Sequence, residues 1–303
     1  MGRTILEVQP LDAPFGAVVS GMDFGQALDA ETHTAIRAAL HEYRMLVFRG
    51  ESRPDAKLVS FAERFGSLIT LYEHDTTVPG YPGIVRVSNV EENGRPIGLA
   101  GNQALLWHHD HSYLERPAKE SFLEAVELPP DPPRTSFVDM VAALEALPAG
   151  LRERIAKLRA VHHIDERADA GEAEPGRLGA TGATPDYSDS TNVLAQQRIA
   201  ARRAIHPMVM RHPESGLAAL YISPLATHQI VGLGDEDAAA LLGELFERVL
   251  RPEFTYSHAW SPGDFVVWDT LTTLHSREAF ASSQRRLMKQ MSTQCSQPLE
   301  TAA

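Results

Sequence analysis

The chain has 303 residues, of which 43% are apolar and 22% charged, ordinary proportions for a globular protein. Its formal net charge of −12 disfavours nucleic acid and anionic membrane surfaces as partners, because both select a basic face. The sequence contains one cysteine, no apolar run near the ~20 residues of a membrane span, and no apolar signal segment at its start. We therefore expect a single cytoplasmic domain over residues 1–303.

Predicted helices are few and are separated by β-rich stretches. Apolar residues at helical spacing, with capping or breaking residues at the ends, predict helices over Asp29–Arg44, Pro54–Gly66, Asp139–Leu147, Leu151–Leu158 and Asp235–Leu250. Short apolar runs between turn residues predict strands over Met45–Phe48, Ile84–Val90, Leu105–Ser112, Phe122–Glu127, Met208–Arg211, Ala219–Ser223, Phe265–Asp269 and Leu287–Cys295. Strands and helices do not alternate regularly, so the predicted fold class is mainly β with flanking helices (α+β).

Two segments have compositions that are unfavourable for packing. Residues 165–192 are rich in Gly, Ala, Asp and Glu and poor in large apolar side chains, so they cannot bury enough surface to offset ordering entropy. A loop of this length is typical of a lid over a site or of a disordered segment. We interpret it as a mobile lid insertion, and a permanently disordered insertion is the alternative. The tail 298–303 is expected to fray.

The segment Trp107-His108-His109-Asp110-His111 is the densest concentration of metal-ligand chemistry. Residues two apart on a strand project from one face, so His108 and Asp110 can reach one ion, while His109 and His111 face the other way. Imidazole plus carboxylate is two-thirds of the 2-His-1-carboxylate site of Fe(II) oxygenases. On spacing alone, an ordinary surface strand is the simpler interpretation.

A third ligand has to come from a distant part of the chain. The segment Trp268-Asp269 ends a predicted apolar strand, and His275 follows it. Eleven residues later comes the pair Arg285-Arg286, and a guanidinium is suited to a small carboxylate. Taken alone, a hydrogen-bonded core histidine and a solvated arginine pair are the simpler interpretations.

Together these motifs resemble the taurine/2-oxoglutarate dioxygenase (TauD/TfdA) family over most of the chain. The matching landmarks, in the family's order, are Pro14–Asp23, Leu46–Arg49, Phe61–Gly66, Trp107–Asp110, His206–Gly216, Trp268–His275 and Arg285–Arg286. Each landmark is weak by itself, and their common order makes the resemblance specific.

The resemblance implies a double-stranded β-helix (jelly-roll) core. It implies Fe(II) bound by His108, Asp110 and His275, with O2 and 2-oxoglutarate as cosubstrates. It also implies that Arg286 pairs with the distal carboxylate of 2-oxoglutarate, helped by Thr135, although Pro132-Pro133-Arg134 replaces the usual Gly-Gly-Asp before that threonine. The implied reaction oxidises a small molecule, most often by hydroxylation, and releases succinate and CO2.

The sequence departs from the family pattern where the substrate is recognised. Members that act on taurine hold its sulfonate with an arginine four residues after the cosubstrate arginine, and this chain has Gln290 there. Taurine is therefore not the expected substrate. The candidate substrate-binding residues are Thr70, Glu73, His74 and Gln290, a set that suits an amine-bearing or polyhydroxylated small molecule. The alternative is that Glu73 and His74 belong to an exposed loop.

Two other functions are compatible with parts of the sequence. The main alternative is a non-catalytic β-helix protein that binds a metal or a metabolite, which would not need all three ligands together with Arg286. A zinc hydrolase is less consistent, because no general base is evident beside the metal motif and Arg286 would have no role. Ligand spacing leaves the type of oxidation open, and a homo-oligomer, as in many relatives, is also left open.

Overall fold

The computed structural model describes residues 6–72, 74–164 and 202–302, so the expected lid at 165–192 lies outside the described residues. Its strands, labelled β1 to β21 in chain order, are Glu7–Pro10, Ala17–Ser20, Met45–Phe48, Thr77–Val78, Tyr81–Ser88, Glu91–Glu92, Arg95–Pro96, Leu99–Ala100, Leu105–His108, Ala118–Glu127, Thr135–Asp139, Arg159–His162, Ala204–Pro207, Val209–Arg211, Ala218–Leu220, Thr227–Ile230, Thr255–His258, Phe265–Asp269, Thr273–Arg277, Leu287–Gln294 and Glu300–Thr301. The described helices, labelled α1 to α5, are Ala30–Tyr43, Asp55–Ala62, Met140–Glu145, Ala149–Ile155 and Asp235–Val249.

Two sheets with interleaved strands form the centre of the fold. The main sheet has the order β1-β2-β3-β18-β10-β20-β5-β4, and β8 pairs with β5 beside it. The minor sheet has the order β17-β11-β19-β9. Strands distant in sequence are neighbours in both sheets, and nearly all pairs are antiparallel, as in a jelly roll. The expected mainly β class with a jelly-roll core is confirmed.

The central strands of the main sheet, such as β3 and β18, are buried on both faces, which explains their continuous apolar runs. In β18, Val266 and Trp268 belong to the core between the two sheets, whereas Phe265 and Val267 belong to the core under α1 and α2. Strands buried on both faces are near-continuous apolar runs in sequence. The runs predicted at Met45–Phe48 and Phe265–Asp269 are strands with those bounds.

Helix α1 begins and ends where its capping residues predict. The Asp29 carboxylate accepts a hydrogen bond from the backbone N of Thr32 at 2.8 Å, and Arg44 ends the helix in the left-handed region at φ 63°. Helix α2 begins after Pro54 but ends at Ala62, four residues before the predicted stop. Turns carry the chain from there to Gly66.

The C-terminal tail does not fray as expected for 298–303. Strand β21 pairs with β14, and Leu299 is buried. The Arg211 guanidinium also donates a hydrogen bond to the carbonyl of Ala302 at 3.0 Å. Backbone pairing and one apolar anchor therefore hold the tail through residue 302. In the described part of the chain, no helix has the length and apolarity that a membrane crossing needs.

Candidate metal centre and cosubstrate pocket

The topology brings His108, Asp110 and His275 together at one edge of the minor sheet. Strands β9 and β19 pair antiparallel with His108 opposite His275, and the two imidazole centroids are 4.0 Å apart. Asp110 Oδ1 lies 3.7 Å from His108 Nε2 and 3.8 Å from His275 Nε2. Two ligands at about 2.1 Å from one ion are at most about 4.2 Å apart, so both pairs fit a shared metal. Potential ligand atoms of all three residues lie within 4.8 Å of one another.

The predicted strand over Leu105–Ser112 is wrong in its second half. Strand β9 ends at His108, and Asp110 lies in the following turn. The Thr270 carbonyl oxygen lies 2.7 Å from His109 Nδ1, and the Thr270 hydroxyl accepts from the backbone N of Asp110 at 3.1 Å. These contacts, and the left-handed φ of 51° at His111, draw the chain away from the sheet. The turn, not strand alternation, places the carboxylate beside both imidazoles.

The protonation of the three groups suits a divalent metal. His108 Nδ1 lies 2.7 Å from the carbonyl oxygen of Leu106, which can only accept, so Nδ1 carries the proton and Nε2 is free to ligate. Burial and the neighbouring His108 lower the pKa of His275 to about 3, which keeps its imidazole neutral. Burial alone would raise the pKa of Asp110, but the surrounding imidazoles reverse the effect and its pKa is lowered. Neutral imidazoles and an ionised carboxylate are the forms that bind metals.

Arg286 is a buried cation that has no counter-ion among the residues that the structure describes. Its side chain is 1% exposed, and its Nε and Nη1 have no hydrogen-bond partner among the described residues. The residue is fixed through its backbone, whose N–H donates to Asn89 Oδ1 at 2.9 Å and whose carbonyl accepts from Ser88 Oγ at 2.8 Å. Burial, with a smaller contribution from Arg277, lowers the pKa of Arg286 to about 9. A buried unpaired guanidinium is costly, so this arrangement suits an anionic ligand.

Thr135 opens strand β11, which lies beside the strand that carries His275. Its hydroxyl is buried and accepts a hydrogen bond from Trp260 Nε1 at 2.9 Å, so its own proton remains available to a ligand. In the pairing of β11 with β19, Thr135 lies opposite Arg277, a second buried arginine that was not among the residues predicted from the sequence. Arg277 donates to the carbonyls of Ala100, at 2.9 Å, and Gln103.

Of the four candidate substrate residues, the structure describes the side chains of two, Thr70 and Gln290. Thr70 is exposed and lines a surface cleft of about 660 Å³. Glu73 and the side chain of His74 lie outside what the structure describes. Gln290 is beside the metal ligands, because its Nε2 donates to Asp110 Oδ2 at 3.1 Å.

A hydrogen-bonded group next to Asp110 contains two tyrosines that sequence patterns did not indicate. His111 Nδ1 is 3.0 Å from the hydroxyl of Tyr113, and the Tyr72 hydroxyl hydrogen-bonds that of Tyr113. The Tyr72 and His111 rings are 5.7 Å apart. Burial raises the pKa of Tyr113 to about 12, so both phenols stay protonated. No spacing rule links Tyr72 to the metal motif, since the fold alone brings them together.

His109 points away from the metal group, as predicted. Its imidazole stacks on the ring of Tyr221 with centroids 4.2 Å apart and an interplanar angle of 26°. Burial lowers the pKa of His109 to about 4. It is a neutral core residue.

A jelly roll that contains both a His-Asp-His group and a buried arginine is typical of the iron- and 2-oxoglutarate-dependent oxygenases. Comparison with known proteins agrees. The family model "Taurine catabolism dioxygenase TauD, TfdA family" matches residues 7–292. Pentalenolactone F synthase of Streptomyces avermitilis is 36% identical over 94% of this chain and 92% of the relative. The alpha-ketoglutarate-dependent 2,4-dichlorophenoxyacetate dioxygenase of Cupriavidus pinatubonensis is 32% identical over 94% and 96%.

Solved structures show the same relationship. A taurine dioxygenase from Burkholderia xenovorans has a TM-score of 0.76 and 27% identity, covering 97% of this chain and 90% of its own. AAD-2 in complex with Mn(II) and N-oxalylglycine has a TM-score of 0.78 and 27% identity over 98% and 99%. The chain belongs to the TauD/TfdA family. It is a dioxygenase that uses Fe(II), 2-oxoglutarate and O2 to oxidise a small molecule.

Proposed function

We propose that His108, Asp110 and His275 hold the Fe(II) of this dioxygenase and that Arg286 binds the distal carboxylate of 2-oxoglutarate. The observation that carries the proposal is the unpaired guanidinium of Arg286, enclosed in the same fold as the three potential ligands. A non-catalytic metal-binding protein would not need a buried cation for a second ligand. Thr135 contributes its free hydroxyl proton to the same carboxylate.

The bound metal would activate oxygen, and the protein would orient the cosubstrate and shield the site from water. Three protein ligands leave three positions of an octahedral ion open. Arg286 fixes one end of the cosubstrate, so that its other end is directed to the metal. The rings of Phe137 and Trp268, with centroids 6.0 and 5.0 Å from that of His275, cover this imidazole on the interior side. They exclude water from the inner side of the site.

The proposed substrate is a small molecule with hydrogen-bonding groups, either polyhydroxylated or amine-bearing. The group of Tyr72, Tyr113 and His111 supports this proposal, because two phenols and an imidazole next to Asp110 can exchange hydrogen bonds with such groups. Relatives named for pentalenolactone F and for 2,4-dichlorophenoxyacetate are compatible with a substrate other than taurine. Glu73, Thr70 and His74 remain substrate-binding proposals.

Succinate formation tests the proposed function. The Fe(II)-loaded protein is incubated with 2-oxoglutarate and O2 against a panel of amines, amino acids, sugars and terpenoids, and succinate and oxidised product are measured by mass spectrometry. We expect one compound class to raise succinate release in proportion to product, and Arg286→Met to abolish both. Full turnover by Arg286→Met or by His275→Ala would contradict the proposed roles of these residues.

The substrate proposal is tested separately with Tyr113→Phe. Removing the hydroxyl breaks the chain of hydrogen bonds to His111, so we expect KM to rise about tenfold for the identified substrate, since one such bond is worth roughly 1 kcal/mol or more. The matched control is Tyr256→Phe, which breaks a similar tyrosine-histidine contact of 3.1 Å on the opposite edge of the minor sheet. An unchanged KM in Tyr113→Phe would remove this group from substrate recognition.

A further inference from the structure

We propose that Gln290 and Ser121 are positioning residues that hold Asp110 in one-oxygen contact with the metal, and the proposal rests on the metal role assigned to Asp110 above. In the structure the two carboxylate oxygens have different neighbours. Oδ1 faces His108 Nε2 and His275 Nε2, at 3.7 and 3.8 Å. Oδ2 accepts from Gln290 Nε2 at 3.1 Å and is therefore turned toward the main sheet.

Gln290 and Ser121, the two partners of the Asp110 carboxylate, lie on the face of the main sheet that is turned toward the minor sheet. In β20, Met288 belongs to the core between the sheets and Met291 to the core under the helices. Alternation therefore puts Gln290, two residues from Met288, on the inner face. In β10, Leu123 is inward and is directly opposite Gln290. Ser121, two residues from Leu123, is inward as well.

Ser121 reinforces the contact made by Gln290. Its hydroxyl is completely buried and lies 3.0 Å from the hydroxyl of Ser292, the residue opposite it in β20. A hydrogen bond from Ser121 also contributes to the lowered pKa of Asp110. The backbone N of Asp110 is held independently by the Thr270 hydroxyl at 3.1 Å. Groups from the main sheet thus fix a carboxylate that belongs to a turn beside the minor sheet.

This arrangement has a consequence for the number of open metal positions. A carboxylate that is free to rotate can bind with both oxygens and occupy two of the six positions. With Oδ2 engaged by Gln290 and the carboxylate also hydrogen-bonded by Ser121, only Oδ1 is available to the ion. The three protein ligands then occupy three positions and leave three, which is what a two-point cosubstrate and oxygen need. Gln290 accordingly acts on the metal through Asp110 rather than by direct contact with substrate.

The test compares Mn(II) binding by the ligand-free wild type, Gln290→Leu and Gln294→Leu. Gln294 is the matched control, because it lies on the same strand and its Nε2 donates at 3.0 Å to the carbonyl of Arg116, away from the site. Loss of an outer partner of a metal ligand typically weakens affinity about 10- to 100-fold. We expect that loss for Gln290→Leu and no change for Gln294→Leu.

A second measurement separates positioning from general damage. Water-proton relaxation counts the waters on bound Mn(II), and we expect Gln290→Leu to show fewer, because the released carboxylate takes an additional position. Ser121→Ala is a second variant with a smaller expected loss of affinity, about threefold to tenfold. The cavity that Ser121→Ala creates is small, so this variant provides the test if Gln290→Leu does not fold.

The outcomes separate this inference from the proposed function. Wild-type protein that binds no Mn(II) would overturn the metal site and the positioning role together. Wild-type protein that binds Mn(II), with an unchanged dissociation constant and water count in Gln290→Leu and Ser121→Ala, would overturn the positioning role alone. A loss of affinity and of bound water in Gln290→Leu, absent from Gln294→Leu, supports it.

Discussion

Replacing Arg286 by methionine should stabilise the ligand-free protein and at the same time remove its affinity for 2-oxoglutarate. The guanidinium is 1% exposed, and two of its nitrogens have no partner among the described residues. Methionine fills a comparable volume without a charge or a donor, so it removes the burial cost as well as the recognition group.

The magnitude of the stabilisation follows from the lowered pKa. A fall from 12.5 to about 9 corresponds to a cost of roughly 5 kcal/mol for the charged form in the folded protein relative to the unfolded chain. This figure is an upper bound for the gain in Arg286→Met, because the aliphatic contacts of the arginine are also lost. We expect the free energy of unfolding of the ligand-free protein to rise by about 1 to 4 kcal/mol.

The loss of affinity is larger than the gain in stability. Removing one partner of a buried charged pair typically costs about 2 to 5 kcal/mol, which is roughly a 30-fold to several-thousand-fold rise in Kd. The assays are denaturant unfolding of the ligand-free protein and calorimetric titration of 2-oxoglutarate in the presence of Mn(II).

Arg285→Met is the matched control. Arg285 is the preceding residue, and its side chain is 59% exposed and paired with Glu127 at 2.7 Å on the surface. A solvated ion pair contributes little, so this variant should leave both measurements near wild type. The reasoning would be refuted by an Arg286→Met protein that binds 2-oxoglutarate normally, or by one that is destabilised as a ligand-free protein.

Three further predictions concern the surroundings of the site. His108→Ala should weaken Mn(II) binding by more than about 100-fold in equilibrium dialysis, whereas His109→Ala should lower the melting temperature and weaken that binding far less, because it removes only one of the contacts that form the turn around Asp110. Thr135→Val should weaken 2-oxoglutarate binding about threefold to thirtyfold in calorimetry, and an equal Kd would exclude the hydroxyl from the contact. Burial raises the pKa of Glu120 in the folded protein to about 7, from an ordinary value near 4.5. The folded protein therefore holds this proton more tightly than the unfolded chain, and the resulting stabilisation is complete below pH 4.5 and is lost as the pH rises through 7. The difference in the free energy of unfolding between Glu120→Gln and the wild type, measured in urea, should therefore increase by about 3 kcal/mol in favour of the variant from pH 5 to pH 8. A difference that stays constant over this range would contradict the shifted pKa.

The elements predicted best from the sequence are those whose apolar pattern serves packing alone. The predicted helix over Asp29–Arg44 and the strand Phe265–Asp269 match their structural bounds closely, because capping residues and buried faces determine them. Strand β19, Thr273–Arg277, was not predicted. It carries His275 and Arg277 among threonine and serine, so it lacks the apolar alternation of an ordinary strand.

The site itself was predictable only in part. The residues His108, Asp110, His275 and Arg286 were identified from the order of motifs, and the structure brings the first three together. The turn that positions Asp110 was not predictable, because it depends on Thr270, 160 residues away. Contacts of this kind arise from the pairing of strands distant in sequence and leave no local signal.

The most direct test of the account is anaerobic addition of Fe(II) and then 2-oxoglutarate to the purified protein. We expect Fe(II) to bind, and 2-oxoglutarate then to produce a weak metal-to-ligand charge-transfer band in the visible range. The band should be absent from His275→Ala and should require far more 2-oxoglutarate in Arg286→Met. A wild-type protein that binds no Fe(II), or that binds it and gives no band with saturating 2-oxoglutarate, would contradict the account.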